Sequence, residues 1–338
     1  QDAYADRIAE LLNKTGVCQI SFDGLEGCGY TGHDDYAMSR FVNRIFTQVK
    51  HPLRNDASRL SHNLWHTHTY TNWGEPWGEA MRTGQVESRI VNQAFYKRNL
   101  FPRMLGWFLI RLADRKQQCT SLEDVEWAMS EAAGFDAGYA MTIRAKTFRR
   151  HGQIDRLLEA IRNWDYLREK QAFTEEQRAR LRDPQTEWHL EKQNDRLFKL
   201  YPLHISKYYT CNLGEMQPGQ PGGSDWSWTT PYPGRFAVRL KVEGDGAIEN
   251  PQFTTPEGVI KFPCTVKEHQ YLLYTFDGKA VVTDKNYNVV QTVVPEGEAL
   301  MPAGTSAVSF SCSLISEDAP DVVIRFMTLG EPETVEVR

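Results

Sequence analysis

Residues 104–144 read MLGWFLIRLADRKQQCTSLEDVEWAMSEAAGFDAGYAMTIR, and this stretch decides the fold class of the first part of the chain. The opening run MLGWFLIRLA is almost continuously apolar, as expected of a parallel strand that is buried on both faces. SLEDVEWAMSEAAG begins with Ser, has Asp three residues later and ends with Gly, which are start and stop signals of a helix. AGYAMTIR has the pattern of a second strand. The stretch therefore predicts a strand, a crossover helix and a parallel strand.

The same order of strand and helix recurs throughout residues 1–203. The predicted strands are 17–24, 61–69, 104–113 and 137–144, and the predicted helices are 34–50, 85–99, 121–134, 153–170 and 174–183. Strands that alternate with helices predict a parallel sheet. Four such strands after an opening helix fit the last four units of a (β/α)8 TIM-type barrel, which needs eight strands and about 250 residues.

A half barrel would expose a sheet edge and an apolar face. We therefore expect the N-terminal barrel half as a separate chain, a missing segment or a second subunit. The alternative is a complete small doubly wound α/β domain. No glycine-rich phosphate turn follows the first predicted strand, which disfavours that alternative.

The period of the apolar residues changes to two from Tyr208 onward. The strands predicted there include GRFAVRLKVEG, GVIKFPCTV, QYLLYTF, KAVVTD, NVVQTVV, TSAVSFSCSLI and DVVIRFMTL. Short strands without intervening helices predict an antiparallel β-sandwich of jelly-roll type. The predicted fold class is thus α/β plus all-β, with the C-terminal half of a barrel at residues 1–203 and an accessory sandwich at residues 204–338.

Composition excludes several classes of protein. The chain has 338 residues, enough for two domains, and a formal net charge of −5. Sequence-independent binding to nucleic acid needs basic surface, so nucleic acid is not an expected partner. No apolar run approaches the roughly 20 residues that span a bilayer, so no membrane is expected either. Six scattered cysteines without a CxxC pair fit neither a zinc ribbon nor a disulfide scaffold.

Residues 62–77, HNLWHTHTYTNWGEPW, concentrate aromatic, imidazole and carboxylate side chains. On a strand, His66 and His68 would lie on one face, because strand side chains alternate. An aromatic ring can stack on the apolar face of a sugar while a carboxylate acts on the glycosidic oxygen. The interpretation is a sugar-binding strand end with Glu75 as a catalytic or hydroxyl-binding group and histidines that bind hydroxyls. Trp73 or Trp77 would be a stacking platform, and Trp65 is a further substrate-binding candidate.

A second pair of carboxylates follows the first predicted strand. Gln19, Ser21 and Asp23 share its polar face, and Glu26 follows in the loop DGLEGCGYTGHDD. Barrel enzymes build their sites at the carboxyl ends of strands. A glycosidase needs one carboxyl group to protonate the leaving oxygen and another to act as nucleophile or base. Asp23 and Glu26 are therefore catalytic candidates, although Asp-Gly also forms ordinary turns and Glu26 can be a solvated surface residue.

Arg111, after the third predicted strand, is a candidate for binding an acidic sugar, with an ordinary ion pair as the simpler reading.

A metal site is a further alternative for His66 and His68, because HTHT resembles the His-x-His opening of the amidohydrolase and PHP phosphoesterase families. Those families place the pair on the first strand and need further ligands on later strands. MLGWFLIR and AGYAMTIR contain no histidine, so we expect no metal and no cofactor.

With these residues in place, the chain resembles the C-terminal part of large (β/α)8-barrel glycoside hydrolases of the Bacteroidetes type with a trailing β-sandwich. The stretches that carry the resemblance are QISFDGLEGCGYTGHDDY, LWHTHTYTNWGEPW, the AAGFDAGYAM run and AIRNWDYLREKQAFTEEQRARLRD. The resemblance implies two catalytic carboxylates at strand ends, a complex polysaccharide or oligosaccharide as substrate, and a periplasmic or secreted protein. A non-catalytic carbohydrate-binding protein is the alternative, followed by a metal-dependent hydrolase.

Overall fold

The computed structural model describes residues 1–24, 34–57, 62–71, 82, 86, 90–215, 222–315 and 319–337. Its contacts divide the chain into two compact units. Unit 1 comprises Gln1–Ile110 and Glu131–Ile143, and unit 2 comprises Arg111–Ser130 and Arg144–Arg338. Within the described residues, no helix has both the length and the apolar character needed to cross a membrane.

Unit 1 contains helices and parallel strands. Its helices are α1 (Asp2–Thr15), α2 (Asp34–Gln48) and α3 (Val91–Arg98), together with the end of α4 (Leu122–Phe135), a helix whose residues up to Ser130 belong to unit 2. The strands are β1 (Gln19–Phe22), β2 (Arg54–Ala57), β3 (Tyr70–Thr71), β4 (Met104–Ile110) and β5 (Gly138–Ile143). β1, β2 and β3 form one parallel sheet, and β4 pairs in parallel with β5. The predicted parallel pairing of 104–113 with 137–144 is confirmed.

Helix α1 is held to α2 and β1 by one apolar stripe. Ala5, Ala9 and Leu12 are buried, at the spacing that places side chains on one face of a helix. The helix ends at Gly16, whose φ of 70° is a left-handed conformation that glycine adopts without steric cost. Ala5 and Leu12 pack in a cluster that also contains Phe22 of β1 and Val42 of α2. The polar face of β1 is therefore turned away from this cluster.

The strand predicted at residues 61–69 is wrong. His62–Leu64 form a 3-10 helix and a turn follows; within the described residues 62–71, the extended part is Tyr70–Thr71. The second parallel strand is instead β2, whose sequence RNDA has no apolar alternation. A strand of four mostly polar residues gives no period-two signal, whereas the apolar and aromatic residues of LWHTHT imitate one.

Unit 2 carries three further helices, which are α5 (Ala145–Arg150), α6 (Ile154–Glu169) and α7 (Glu175–Leu181). Thr174 caps α7: its side chain accepts from the backbone of Gln177, and the Gln177 side chain accepts from the backbone of Thr174. This reciprocal capping box satisfies donors that the first turn of a helix leaves without partners. The two charged helices predicted from the sequence are confirmed.

The rest of unit 2 is a 15-stranded antiparallel sheet that is open, with β16 and β9 at the ends of its longest path. Its strands are β6 (Glu187–Lys192), β7 (Leu197–Ile205), β8 (Tyr209–Asn212), β9 (Gly222–Thr230), β10 (Gly234–Glu243), β11 (Ala247–Thr255), β12 (Glu257–Lys261), β13 (Thr265–Lys267), β14 (Tyr271–Tyr274), β15 (Ala280–Thr283), β16 (Val289–Val293), β17 (Glu296–Met301), β18 (Gly304–Leu314), β19 (Asp321–Leu329) and β20 (Glu333–Glu336). The predicted antiparallel strand region is confirmed, and it begins earlier than Tyr208, because β6 and β7 belong to it.

One aromatic core supports this sheet. Phe236, Phe253, Phe310 and Phe326 are buried together with Trp228. The Trp228 and Phe326 rings are stacked with centroids 5.0 Å apart. Alternate residues of β10 enter this core, so the residues between them lie on the opposite face of the sheet.

The chain is thus mixed, with helices, parallel strands and a large antiparallel sheet. The described strands do not close into a barrel. Residues 111–130 and 144–203 belong to the same compact unit as the antiparallel strands that follow them. The boundary predicted between residues 203 and 204 remains a prediction about independently folding domains.

Candidate functional site

The carboxyl end of β1 carries the polar face that the sequence predicts. Gln19 and Ser21 are exposed, whereas Phe22 is buried. Asp23 follows directly and is exposed, and the turn continues through Gly24 with a φ of 76°. Asp23 therefore lies at a strand end with its carboxylate accessible from solvent.

A second carboxylate, Asp56, lies on the neighbouring strand. Asp56 pairs in register with Ser21, and in a parallel pair such residues point to the same face of the sheet. Asp56 is only 6% exposed, and its Oδ1 atom has no hydrogen-bond partner in the part of the chain that the structure describes. A buried polar atom without a partner calls for an explanation, and a catalytic or binding role is one of those available. The sequence pattern does not identify Asp56 as a site residue, because it does not predict the strand β2.

The histidine segment takes a different form from the one predicted. His68 is buried, and its Nδ1 atom is 2.9 Å from the carbonyl oxygen of Leu64. His66 is exposed, and its Nε2 atom is 3.1 Å from Oδ1 of Asn43 on α2. Because the segment is a turn, the alternation argument that placed both imidazoles on one strand face does not apply. Trp65 is 48% exposed, and its ring meets the His66 ring edge-on at 5.6 Å.

The remaining predicted site residues divide into two groups. Four of them lie outside the described residues, namely Glu26, Trp73, Glu75 and Trp77. Arg111 belongs to unit 2, where its backbone nitrogen donates to Oγ1 of Thr120 at 3.0 Å. Among the described residues, no three His, Cys, Asp or Glu side chains are grouped as a metal ion would require.

Unit 2 contains a cavity of about 540 Å³, within the range of about 300–1,000 Å³ typical of small-molecule sites. It lies between the first turns of α4, helix α6, and strands including β6, β10 and β14. Its acidic lining residues are Glu123, Glu126, Glu191 and Asp277, and its basic ones are Arg156, His189, Arg239 and Lys279. Apolar side chains, among them Leu203, Phe276 and Met327, complete the lining.

The most buried polar pair of this cavity is Glu126 with His189. The Glu126 side chain is 2% exposed, and its Oε2 atom lies 2.8 Å from Nδ1 of His189. Its Oε1 atom accepts from the backbone nitrogen of Leu190 at 3.0 Å. Burial is the largest single influence and acts to lower the pKa of His189, but the charge of Glu126 and the polar contacts with Glu126 and Glu191 together outweigh it and raise that pKa to about 10. The imidazole is therefore a cation at neutral pH.

His189 has a second carboxylate on its other side. Its Nε2 atom is 3.7 Å from Oε1 of Glu191, two residues further along β6 and on the same face. The interaction with the His189 imidazolium is the main cause that lowers the pKa of Glu191. Tyr201 donates to the other oxygen of Glu191 at 3.2 Å. The alternation Glu187, His189, Glu191 in EWHLEK is a signal from which sequence reasoning could have found this site.

A second ion pair closes the helix side of the cavity. Nη2 of Arg239 lies 2.5 Å from Oε2 of Glu123, and the Arg239 guanidinium lies over the Tyr287 ring at 5.8 Å. Burial acts to raise the pKa of Glu123, but the charge of Arg239 and a hydrogen bond from Ser121 lower it to about 2. Both groups are therefore charged across the physiological range.

No protein-family model matches this chain, and no curated protein matches it.

Proposed function

We propose that this chain is part of a glycoside hydrolase that cleaves a complex polysaccharide or oligosaccharide by carboxylate acid and base catalysis. In this proposal the parallel strands of unit 1 belong to a (β/α)8 barrel, and the antiparallel sheet of unit 2 is an accessory sandwich of jelly-roll type. The observation that carries the proposal is the presence of two aspartates at neighbouring parallel strands, with Asp56 on β2 in register with Ser21 and Asp23 in the turn that directly follows β1.

Two carboxylates so placed match what glycoside hydrolysis requires. One carboxyl group protonates the leaving oxygen, and the other acts as nucleophile or activates water. Asp56 is buried with an oxygen that no described group satisfies, whereas Asp23 is exposed. Different surroundings for two carboxylates are the usual means of giving them different roles. Glu26 and Glu75 remain catalytic candidates.

Aromatic surface on the same unit supports a carbohydrate substrate. Trp65 exposes about half of its indole ring, and His66 beside it presents a polar edge. An exposed ring next to a polar group can stack on a sugar and bind a hydroxyl at once. Trp73, Trp77 and His68 are proposed as further substrate-binding residues on the basis of the sequence. Arg111, which belongs to unit 2, stays a separate prediction from the sequence.

The test is hydrolysis of a panel of polysaccharides, with products separated by chromatography. Asp23→Asn and Asp56→Asn are each expected to reduce turnover at least a hundredfold without changing the circular dichroism spectrum, since acid and base groups contribute about 10²–10⁴-fold. Asp195→Asn, at a side chain that is 91% exposed, is the matched control and should retain full activity. An active Asp23→Asn protein would remove Asp23 from the mechanism.

A non-catalytic carbohydrate-binding protein is the second candidate, because the exposed ring of Trp65 can bind a sugar without any chemistry. It is favoured if an oligosaccharide binds and survives unchanged for days.

The metal-dependent hydrolase is tested by mass spectrometry of the untagged protein. About one zinc or manganese ion per chain, lost together with activity on chelation, would overturn the carboxylate mechanism.

A further inference from the structure

We infer that the cavity of unit 2 is a binding site for a neutral sugar unit, formed by His189 and Glu191 on β6, Arg156 on α6 and the apolar side chains around Phe276. This site is carried by unit 2 alone. It does not depend on Asp23 or Asp56, so the two proposals can fail separately.

The charges of the cavity favour an uncharged ligand. Four acidic and four basic side chains line it, and His189 counts among the basic ones because it is protonated at neutral pH. Glu123 with Arg239 and Glu126 with His189 are each neutralised within the protein. The lining therefore has no net charge to attract an anion or a cation, but it has many donors and acceptors.

The spacing of His189 and Glu191 suits a hydroxyl group. Their facing atoms are 3.7 Å apart, which exceeds the length of a direct N–H···O hydrogen bond. A hydroxyl can both donate and accept. A sugar hydroxyl beside this gap would accept from Nε2 of His189 and donate to Oε1 of Glu191. Both bonds would be charge-assisted, and such bonds are about twice as strong as neutral ones.

The other side of the cavity provides apolar surface. Leu203, Ala237 and Met327 form a buried apolar cluster, and the half-buried Phe276 packs against it. The Phe276 ring lies 6.5 Å from the imidazole of His189. A ligand with an apolar face and a polar rim fits between these surfaces, and a pyranose ring has both. Arg156 is exposed on α6 and has no ion-pair partner among the described residues, so it is available to a hydroxyl at the cavity mouth.

The same groups favour binding over chemistry. The pKa of His189 is raised to about 10 and that of Glu191 is lowered. An efficient general acid or base exchanges a proton near the working pH. Neither His189 nor Glu191 does so near neutral pH. A sugar held here would therefore remain intact, and the site would tether unit 2 to a carbohydrate chain.

The test uses the whole chain, saturation-transfer NMR and calorimetry. The probes are glucose, galactose, mannose and xylose with their disaccharides, next to glucuronate and galacturonate as anionic counterparts of the same shape. Glu191→Gln should weaken binding of the neutral sugar about tenfold, as expected for the loss of one charge-assisted hydrogen bond. Glu298→Gln, at an exposed ion pair elsewhere on the sheet, should leave the affinity unchanged.

A second pair of variants lies on a single helix. Arg156→Gln should weaken binding, whereas Arg162→Gln on the same helix, where the arginine pairs with Glu159, should not. Asp23→Asn should bind with full affinity at this cavity even if hydrolysis is lost. The inference would be overturned if no neutral sugar bound at millimolar concentration or if the uronates bound more tightly than the neutral sugars. It would also be overturned if the Glu191→Gln protein bound the neutral sugar with the same affinity as the wild type.

Discussion

The strongest single prediction concerns the buried ion pair of Glu126 and His189. The substitution Glu126→Gln removes the negative charge but keeps an amide oxygen that can accept from the backbone of Leu190, as Oε1 does now at 3.0 Å. His189 then retains only Glu191, which is 3.7 Å away and half exposed. The substitution therefore removes the charge that keeps the buried His189 protonated, so its pKa falls and the stabilisation from the ion pair is lost. We expect the native state of unit 2 to be destabilised.

The magnitude follows from the pKa of His189. It rises from 6.5 to about 10 in the folded state, and each pKa unit corresponds to about 1.36 kcal/mol. Removing one partner of a buried pair typically costs about 3–5 kcal/mol. Both routes give a loss on the order of 3–5 kcal/mol in the free energy of unfolding at pH 7. Because the folded pKa is raised, this stabilisation is complete below pH 6.5 and is lost as the pH rises through about 10.

The assay is urea unfolding at a series of pH values from 6 to 10. Unfolding of unit 2 is detected by hydrogen exchange in the peptides that cover β6. The wild-type protein minus the Glu126→Gln protein gives a stability difference in which titrations common to both cancel. That difference should be largest near pH 6 and should shrink towards pH 10. Glu191→Gln is the matched control, and it should cost less than about 1 kcal/mol because its pair is partly exposed. A Glu126→Gln difference below about 1 kcal/mol, or one independent of pH, would refute the reasoning.

Three further predictions concern unit 2 and the cysteines. Glu123→Gln should lower the free energy of unfolding by about 3 kcal/mol, and the double variant with Arg239→Met should regain much of that loss. Because the pKa of Glu123 is lowered to about 2, the difference in unfolding free energy between the wild type and Glu123→Gln should shrink as the pH falls from 4.5 towards 2 in acid titrations. Gly152→Ala should cost about 1–3 kcal/mol in urea titrations, because a Cβ there would lie 2.1 Å from the carbonyl oxygen of Tyr287. Alkylation followed by mass spectrometry should label the exposed Cys18 well before the buried Cys119, whose pKa burial raises to about 12; equal labelling would contradict the packing around Cys119.

The order of elements was accessible from the sequence wherever a segment was long and periodic. The apolar run at 104–113 and the helix at 121–134 were predicted within a few residues of β4 and α4. The alternating strands after Tyr208 were predicted as well. In these segments burial imposes a period that the sequence itself displays.

Short polar segments gave no such signal. β2 has the sequence RNDA, and its pairing with β1 and β3 makes it a strand. The segment around His66 has the composition of a strand but is a turn after a 3-10 helix. The candidate site therefore includes Asp56 on β2, and His66 and His68 do not share a strand face.

The sequence by itself determined the change from alternating helices and strands to antiparallel strands, and it placed Asp23 at a strand end. The tertiary structure decided which charged groups meet. Glu126 on α4 and His189 on β6 are 63 residues apart in the chain, and only the packing of that helix on the sheet brings them within 2.8 Å. The physical reason is that hydrophobic periodicity is local, whereas an ion pair forms between whichever side chains the fold removes from water together.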